Sequence, residues 1–262
     1  MRSLKFQRAK RTANVACLGI WLILATAYAQ TPTTNLPKPT VVMETNIVDK
    51  AMALIRQHKF TEARELLLPA AERGEAEPQA LLGQVYNAGW GVPVDYNQAF
   101  KWWSRAAEAG STDAQWGLGL LYDEGKGVPR DSKKAANWWK RGAEHGNIKA
   151  TVNLAFLYEE GRGVELNQKE SARLFKQAAE AGEPFAQVKY GLKLLSGEGV
   201  EKNAALACAW IAIATDSPRV KGTKQEERFR NQRDKILASL SADERGQAEK
   251  LRKEIQARLK AN

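Results

Sequence analysis

Cysteine is almost missing from this chain of 262 residues, which has two, Cys17 and Cys208. Cys17 falls in an N-terminal segment that reads as removable, so Cys208 would stand alone and no intrachain disulfide could staple the remaining chain. Histidine is as scarce: His58 and His145 lie far apart, and neither has a partner at metal-ligand spacing such as His-x-x-x-His. That excludes the familiar metal constellations, and no metal or cofactor is expected. A Gly-x-Ser-x-Gly elbow is absent, as are Ser-x-x-Lys and Lys-Thr-Gly; Lys221-Gly222-Thr223 has the wrong order. No catalytic residue is assigned. Strand-like alternation is also missing, and the longest apolar run, from about Ala13 to Ala27, is roughly 15 residues against the ~20 that a membrane span needs.

Charge is unevenly placed. The net charge is +10. Residues 1–29 carry 5 basic and no acidic residues, 30–215 carry 22 of each, and 216–262 carry 13 basic against 8 acidic. A nucleic-acid binder needs a basic stripe on its folded body, and here the body is neutral, so no nucleic-acid partner is expected.

What the chain has in abundance is repetition. Tyr86, Tyr122 and Tyr158 are spaced by 36, and Gly89-Trp90-Gly91-Val92, Gly125-Lys126-Gly127-Val128, Gly161-Arg162-Gly163-Val164 and Gly197-Glu198-Gly199-Val200 keep that register. A fixed period in this range marks units that bury their apolar faces only by stacking. Within the second copy, Ala114, Leu118 and Tyr122 recur at i, i+4, i+8, and Ala135, Trp138, Trp139 and Gly142 at i, i+3, i+4, i+7, two amphipathic helices. Gly125 follows the first helix and Gly110, Gly146 and Gly182 follow the second ones, where a left-handed backbone suits glycine. The Gly-x-Gly-Val segment therefore reads as a turn, since a phosphate cradle would follow a strand and open a helix. Gly119 lies inside a helix, where it costs about 1 kcal/mol relative to Ala. Its recurrence as Gly83 and Gly191, with Ala155 in the third copy, predicts a close helix crossing.

The pattern Ala-x-x-x-Leu-Gly-x-x-Tyr-x-x-Gly-x-Gly-Val, followed by Asp or Asn, Ala, a Trp-aromatic pair, Ala-Ala and Gly, resembles the Sel-one-like repeats, relatives of the tetratricopeptide repeats. The resemblance implies an all-α fold, a right-handed αα-solenoid of helix-turn-helix units. Residues 77–215 would hold four repeats, with the fourth departing through Tyr190 in the Leu position and Leu194 in the Tyr position. Residues 43–76 look like a related helical pair, in which Thr61 is a candidate helix cap and Pro69 should kink or break the second helix. The resemblance also brings β-lactam chemistry, credited to a few cysteine-rich relatives, but the nucleophile motifs and the repeat-embedded cysteine pairs are missing.

The ends have other roles. Arg2, Lys5, Arg8, Lys10 and Arg11, the short apolar run and Ala27-Tyr28-Ala29 read as a signal peptide over 1–29, with cleavage leaving Gln30 first. Residues 30–42, rich in Thr and Pro, read as a flexible leader. A periplasmic or secreted protein follows, with no stable membrane span after signal cleavage. Residues 216–262 read as two capping helices, with Phe229, Ile236, Leu237 and Leu240 on one stripe and Ala248, Leu251, Ile255 and Leu259 on another. Ser241 and Glu244 have capping-box spacing.

A helical wheel at 100° per residue puts Ala114, Leu118, Leu121 and Tyr122 on one face and Trp116, Leu120, Asp123 and Glu124 on the other. The second face is too apolar for a merely solvated one. Its equivalents run Ala80, Trp116, Val152, Val188 and Gln84, Leu120, Phe156, Leu192. Tetratricopeptide-like solenoids line their concave surface with this face, so the resemblance makes Trp116, Leu120, Val152 and Phe156 a groove floor, with Asp123, Glu124, Glu159 and Glu160 as an acidic lip. The other reading is that these rows only pack against the second helices. A groove of this kind suits a protein partner offering a peptide with apolar anchors and basic flanks. Trp90, whose loop equivalents are Lys126, Arg162 and Glu198, is expected exposed and is a further contact candidate. The function read here is a non-catalytic interaction scaffold in the cell envelope. A cell-wall glycan-binding module or an envelope hydrolase using the Asp123-Glu124 or Glu159-Glu160 pair is the alternative.

Overall fold

The computed structural model describes residues 46–261, and the signal-peptide and leader readings lie outside them. Twelve helices and no strand occur among the described residues. They are α1 (Ile47–Arg56), α2 (Phe60–Glu72), α3 (Ala76–Ala88), α4 (Tyr96–Glu108), α5 (Thr112–Glu124), α6 (Ser132–Glu144), α7 (Ile148–Glu160), α8 (Gln168–Glu180), α9 (Pro184–Ser196), α10 (Ala204–Thr215), α11 (Lys224–Ser239) and α12 (Ala242–Ala261). From α1 to α11 each helix packs on the next in sequence, and α12 packs back on α10, so that the last two helices each cover α10 at the end of the stack. The first helices of successive repeats, α3, α5 and α7, also touch one another, which places them on the inside of the curve.

Local chemistry sets each joint. Asp95, Asp131, Asn167 and Asn203 cap α4, α6, α8 and α10, each accepting hydrogen bonds from first-turn amides. Gly125 ends α5 in the left-handed region, at φ 71°. The second glycine of each loop has a task that one repeat cannot show. A Cβ on Gly163 would lie 2.3 Å from the Ser132 carbonyl, and one on Gly199 2.0 Å from that of Gln168. Each of these loops thus rests on the start of the preceding repeat's second helix, and backbone can approach backbone only because no side chain intervenes.

The interior glycines do mark close contacts: at Gly83 and Gly119 the close partner is an indole, and at Gly191 it is Ile211 with the Ala207 carbonyl of the facing helix. A Cβ on Gly119 would fall 2.1 Å from Trp139 Nε1, and one on Gly83 2.4 Å from Trp103 Nε1. Those ring nitrogens donate to the carbonyls of Trp116 and Ala80, at 3.0 Å each. In the third copy Phe175 replaces the tryptophan, and Ala155 fits where glycine was needed.

Two expectations near the N-terminus are corrected. The helix containing Pro69 continues without a break to Glu72. Only one amide donor is lost close to the helix end, and burial of Ala70 and Ala71 holds the last turn in place. Thr61 lies inside α2 rather than capping it; Lys59 is the N-cap and makes no side-chain cap bond. At the other end the capping box forms in both directions: Ser241 N–H donates to Glu244 at 2.8 Å, and Glu244 N–H to Ser241 Oγ at 3.2 Å. Cys208 is buried at 2% exposure, and burial pushes its thiol pKa up, away from reactivity.

Candidate concave binding surface

The inner face of α5 and α7 carries Trp116, Leu120, Val152 and Phe156, all half-buried. Their edges pack onto the core while one side stays open. Phe156 stands edge-on to Phe175 at 5.2 Å and lies beside Phe185 at 5.9 Å. Lysines cover part of this floor: Lys149 Nζ sits 4.7 Å over the Trp116 ring and Lys189 Nζ 4.7 Å over that of Phe156.

The two ends of the rows differ. Toward the N-terminus, a cavity of about 710 Å³ opens among Met52, Ala80, Leu81, Gln84, Trp90 and Trp116, with Met52 37% exposed. Toward the C-terminus, Val188 is only 5% exposed and joins the core shared with α11 and α12. A smaller cavity of about 510 Å³ remains there, between Phe185, Val188 and Leu192 of α9 and Lys224, Arg228 and Phe229 of α11.

Trp90 is not free as expected. Its ring stacks on Phe60 at 6.0 Å and 16°, and it is half-buried at the rim of the larger cavity. The partner comes from the preceding helical pair, so the loop sequence alone gave no hint of it.

The expected acidic lip is a ladder of ion pairs. Arg162 bridges Asp123 and Glu160, and Lys126 holds Glu124 at 2.7 Å. Glu159 is bound by Lys193 at 3.0 Å and Lys189 at 3.1 Å, and the Lys193 side chain is 3% exposed. Burial alone would raise the Glu159 pKa, but hydrogen bonds from Lys193 and Lys189 outweigh it and hold the carboxyl below its ordinary value. Such a group stays ionised at neutral pH and is poorly suited to act as a general acid.

Sequence reasoning missed one set of buried polar residues. Gln79, Gln115 and Gln187 each donate from Nε2 to a carbonyl near the end of the preceding helix, Ala71 at 2.8 Å, Ala107 at 3.3 Å and Ala179 at 3.2 Å. Their spacing in multiples of the 36-residue period, with Thr151 at the intervening position, was the available signal. His145 sits at the end of α6 with its ring Nδ1 2.8 Å from the Arg141 carbonyl, an end-capping role. Among the described residues there is no group of His, Cys, Asp and Glu able to hold a metal ion, and no helix long and apolar enough to cross a membrane.

These features define an αα-solenoid of short helical repeats with an open inner face. The Sel1 repeat pattern matches residues 79–111, 112–147, 148–183 and 184–217, more than half of the chain, and the protein belongs to the Sel1 repeat family. Proteins of this family are generally protein-interaction scaffolds. The fold is similar to that of c5321, described as a protective antigen present in uropathogenic Escherichia coli strains and displaying an SLR fold. Identity is 27% and the TM-score 0.69, over 80% of this chain and 46% of that one. It is also similar to a Sel1 repeat protein from Oxalobacter formigenes, 25% identical with a TM-score of 0.60, over 71% of this chain and 84% of that one. The chain thus spans about half the length of the antigen. No curated protein matches it.

Proposed function

We propose that this protein is a non-catalytic adaptor of the cell envelope that holds a protein partner by a peptide segment laid along the concave face. The observation that carries the reading is the pair of half-open apolar rows, Trp116 and Val152 beside Leu120 and Phe156, continuous with the cavity at α3 and α5. Rows that served packing alone would be closed, as Val188 is. Family membership supports the scaffold role. The envelope location rests on the basic start, the short apolar run and Ala27-Tyr28-Ala29.

The segment carries apolar anchors and a basic flank. The carboxylates that would meet that flank are those without an ion pair at the larger cavity, since Asp123, Glu124, Glu159 and Glu160 are already engaged. The test is truncation of Leu120 and Phe156 to Ala, which should weaken partner binding by at least about 2 kcal/mol, as for anchors in a recognition groove. Unchanged binding, together with loss of turnover of a cell-wall substrate on Glu159→Gln, would replace the adaptor with a hydrolase. N-terminal sequencing of the exported protein should begin at Gln30; a start at Met1 defeats the envelope assignment.

A further inference from the structure

The concave face carries opposite unpaired charge at its two ends. At the larger cavity, Asp49, Glu77 and Asp113 line the rim, and among the described residues none of them is in an ion pair. Asp113 only accepts a hydrogen bond from Asn147. The one cation at that cavity, Lys149, lies over Trp116. At the smaller cavity the lining holds Lys189, Lys224 and Arg228 and no carboxylate. Lys189 is occupied by Glu159, but Lys224 and Arg228 have no ion-pair partner among the described residues. Glu226, on the same helix turn, is taken up by Arg230 and the Gly222 amide. The middle of the face, Leu120, Val152 and Phe156, is apolar, and the carboxylates flanking it are neutralised by Arg162, Lys189 and Lys193.

From this arrangement we infer that the groove reads the polarity of the segment it binds. The inference rests on the concave face being the binding surface. The preferred ligand is a peptide with Lys or Arg at the end lying against α1, α3 and α5, with apolar side chains in its middle. Asp, Glu or a terminal carboxylate lies at the end against α11. Charge complementarity fixes direction and rejects the reversed arrangement more than it adds affinity. The three steps from α3 to α9, at about 9–10 Å between packed helices, make a groove of roughly 30 Å, which an extended segment of about nine residues spans.

A random 12-residue peptide library displayed on phage and selected on the full-length protein tests this, with binders that also bind a Leu120→Ala, Phe156→Ala variant discarded. The retained peptides should carry basic residues in one half and acidic residues in the other. A synthetic copy of the best one should lose at least tenfold in affinity when its basic and acidic residues are exchanged. Replacement of four exposed, unpaired groups, Asp49→Lys, Glu77→Lys, Lys224→Glu and Arg228→Glu, should reverse that preference while the helical circular dichroism spectrum and a cooperative melt are retained, with the modest shift in melting temperature that first-turn charges bring. Retained peptides with no charge asymmetry would overturn the polarity and leave the adaptor reading standing. If every binder is indifferent to the Leu120 and Phe156 changes, both readings fall. Salt-sensitive self-association abolished by the four charge changes would assign the charged ends to a second copy of this chain and overturn the peptide.

Discussion

In the second repeat a tryptophan indole lies on a glycine and donates to the carbonyl of Trp116; in the third a phenylalanine lies beside an alanine and has nothing to donate. The two pairs occupy the same register, Gly119 with Trp139 and Ala155 with Phe175, and both aromatic rings are buried at 2% exposure or less. What the stack requires is a filled volume, and the chemistry that fills it is exchangeable. The inner face differs in step. Trp116 stays tied to the indole through its carbonyl, whereas Phe156 reaches edge-on into Phe175 and so couples the groove floor to the core.

Exchanging the two solutions should produce the largest effect. Gly119→Ala alone forces a methyl into the Trp139 ring and should cost about 3 kcal/mol, at the upper end for overpacking. Trp139→Phe alone loses a buried hydrogen bond and leaves a gap, about 2 kcal/mol. The double variant reproduces the third repeat's pair, and urea melts should show it more stable than the sum of the singles by at least about 1 kcal/mol. Strict additivity would mean that the glycine and the indole do not share one space.

The third and fourth repeats are joined by a charge that the second lacks. Lys193 is buried with Glu159 as its near ionic partner, at 3.0 Å, and Gln168 at 2.8 Å. Glu159→Gln leaves that ammonium under-compensated and should cost about 2 kcal/mol at neutral pH, less than for a fully buried pair because Glu159 keeps some solvent contact. The pH dependence has a fixed sign. A carboxyl whose folded pKa is lowered stabilises the fold above its ordinary value of 4.5, and loses that contribution as pH falls through the folded pKa. The difference between wild type and Glu159→Gln in thermal melts should therefore be full at pH 6 to 7 and shrink below about 4.5. A difference that grew in acid would contradict the pairing.

Much of this was readable in the chain because it is local. The period, the left-handed Gly125 and the Ser241 capping box each depend on residues within one or two turns. Gly119 was recognisable as a close contact, but its partner lies 23 positions after the carbonyl that the indole also uses, in the next helix. The acidic lip misled for the same reason. Asp123 and Glu124 look free in sequence, yet Arg162 reaches Asp123 from 39 positions away and Lys189 reaches Glu159 from 30. Trp90 looked exposed because Phe60 belongs to the helical pair before it. In a stack each unit's surface is finished by its neighbour, so the inner face is the part that a repeat read singly describes least well.

The caps are where the two repeats are most alike, and they give the smallest and most exacting comparison. Asp131 accepts from Lys134 N–H and Asn167 from Glu170 N–H, both at 3.0 Å. Replacing either by Ala should cost about 1 kcal/mol, the usual loss for a cap, and the two values should agree within about 0.5 kcal/mol. The carboxylate of Asp131 adds only a few tenths through the helix dipole, so Asp131→Asn should change stability by less than about 0.5 kcal/mol. Stability in a stacked array is a sum of unit and neighbour contributions, and equal caps in equal units should then have equal effects wherever the rest of the array unfolds with them. If Asn167→Ala costs clearly more than Asp131→Ala, the third repeat is coupled more tightly to its neighbours than the second. The Phe156 to Phe185 contact and the Glu159 to Lys193 pair, which the second repeat lacks, would be the source.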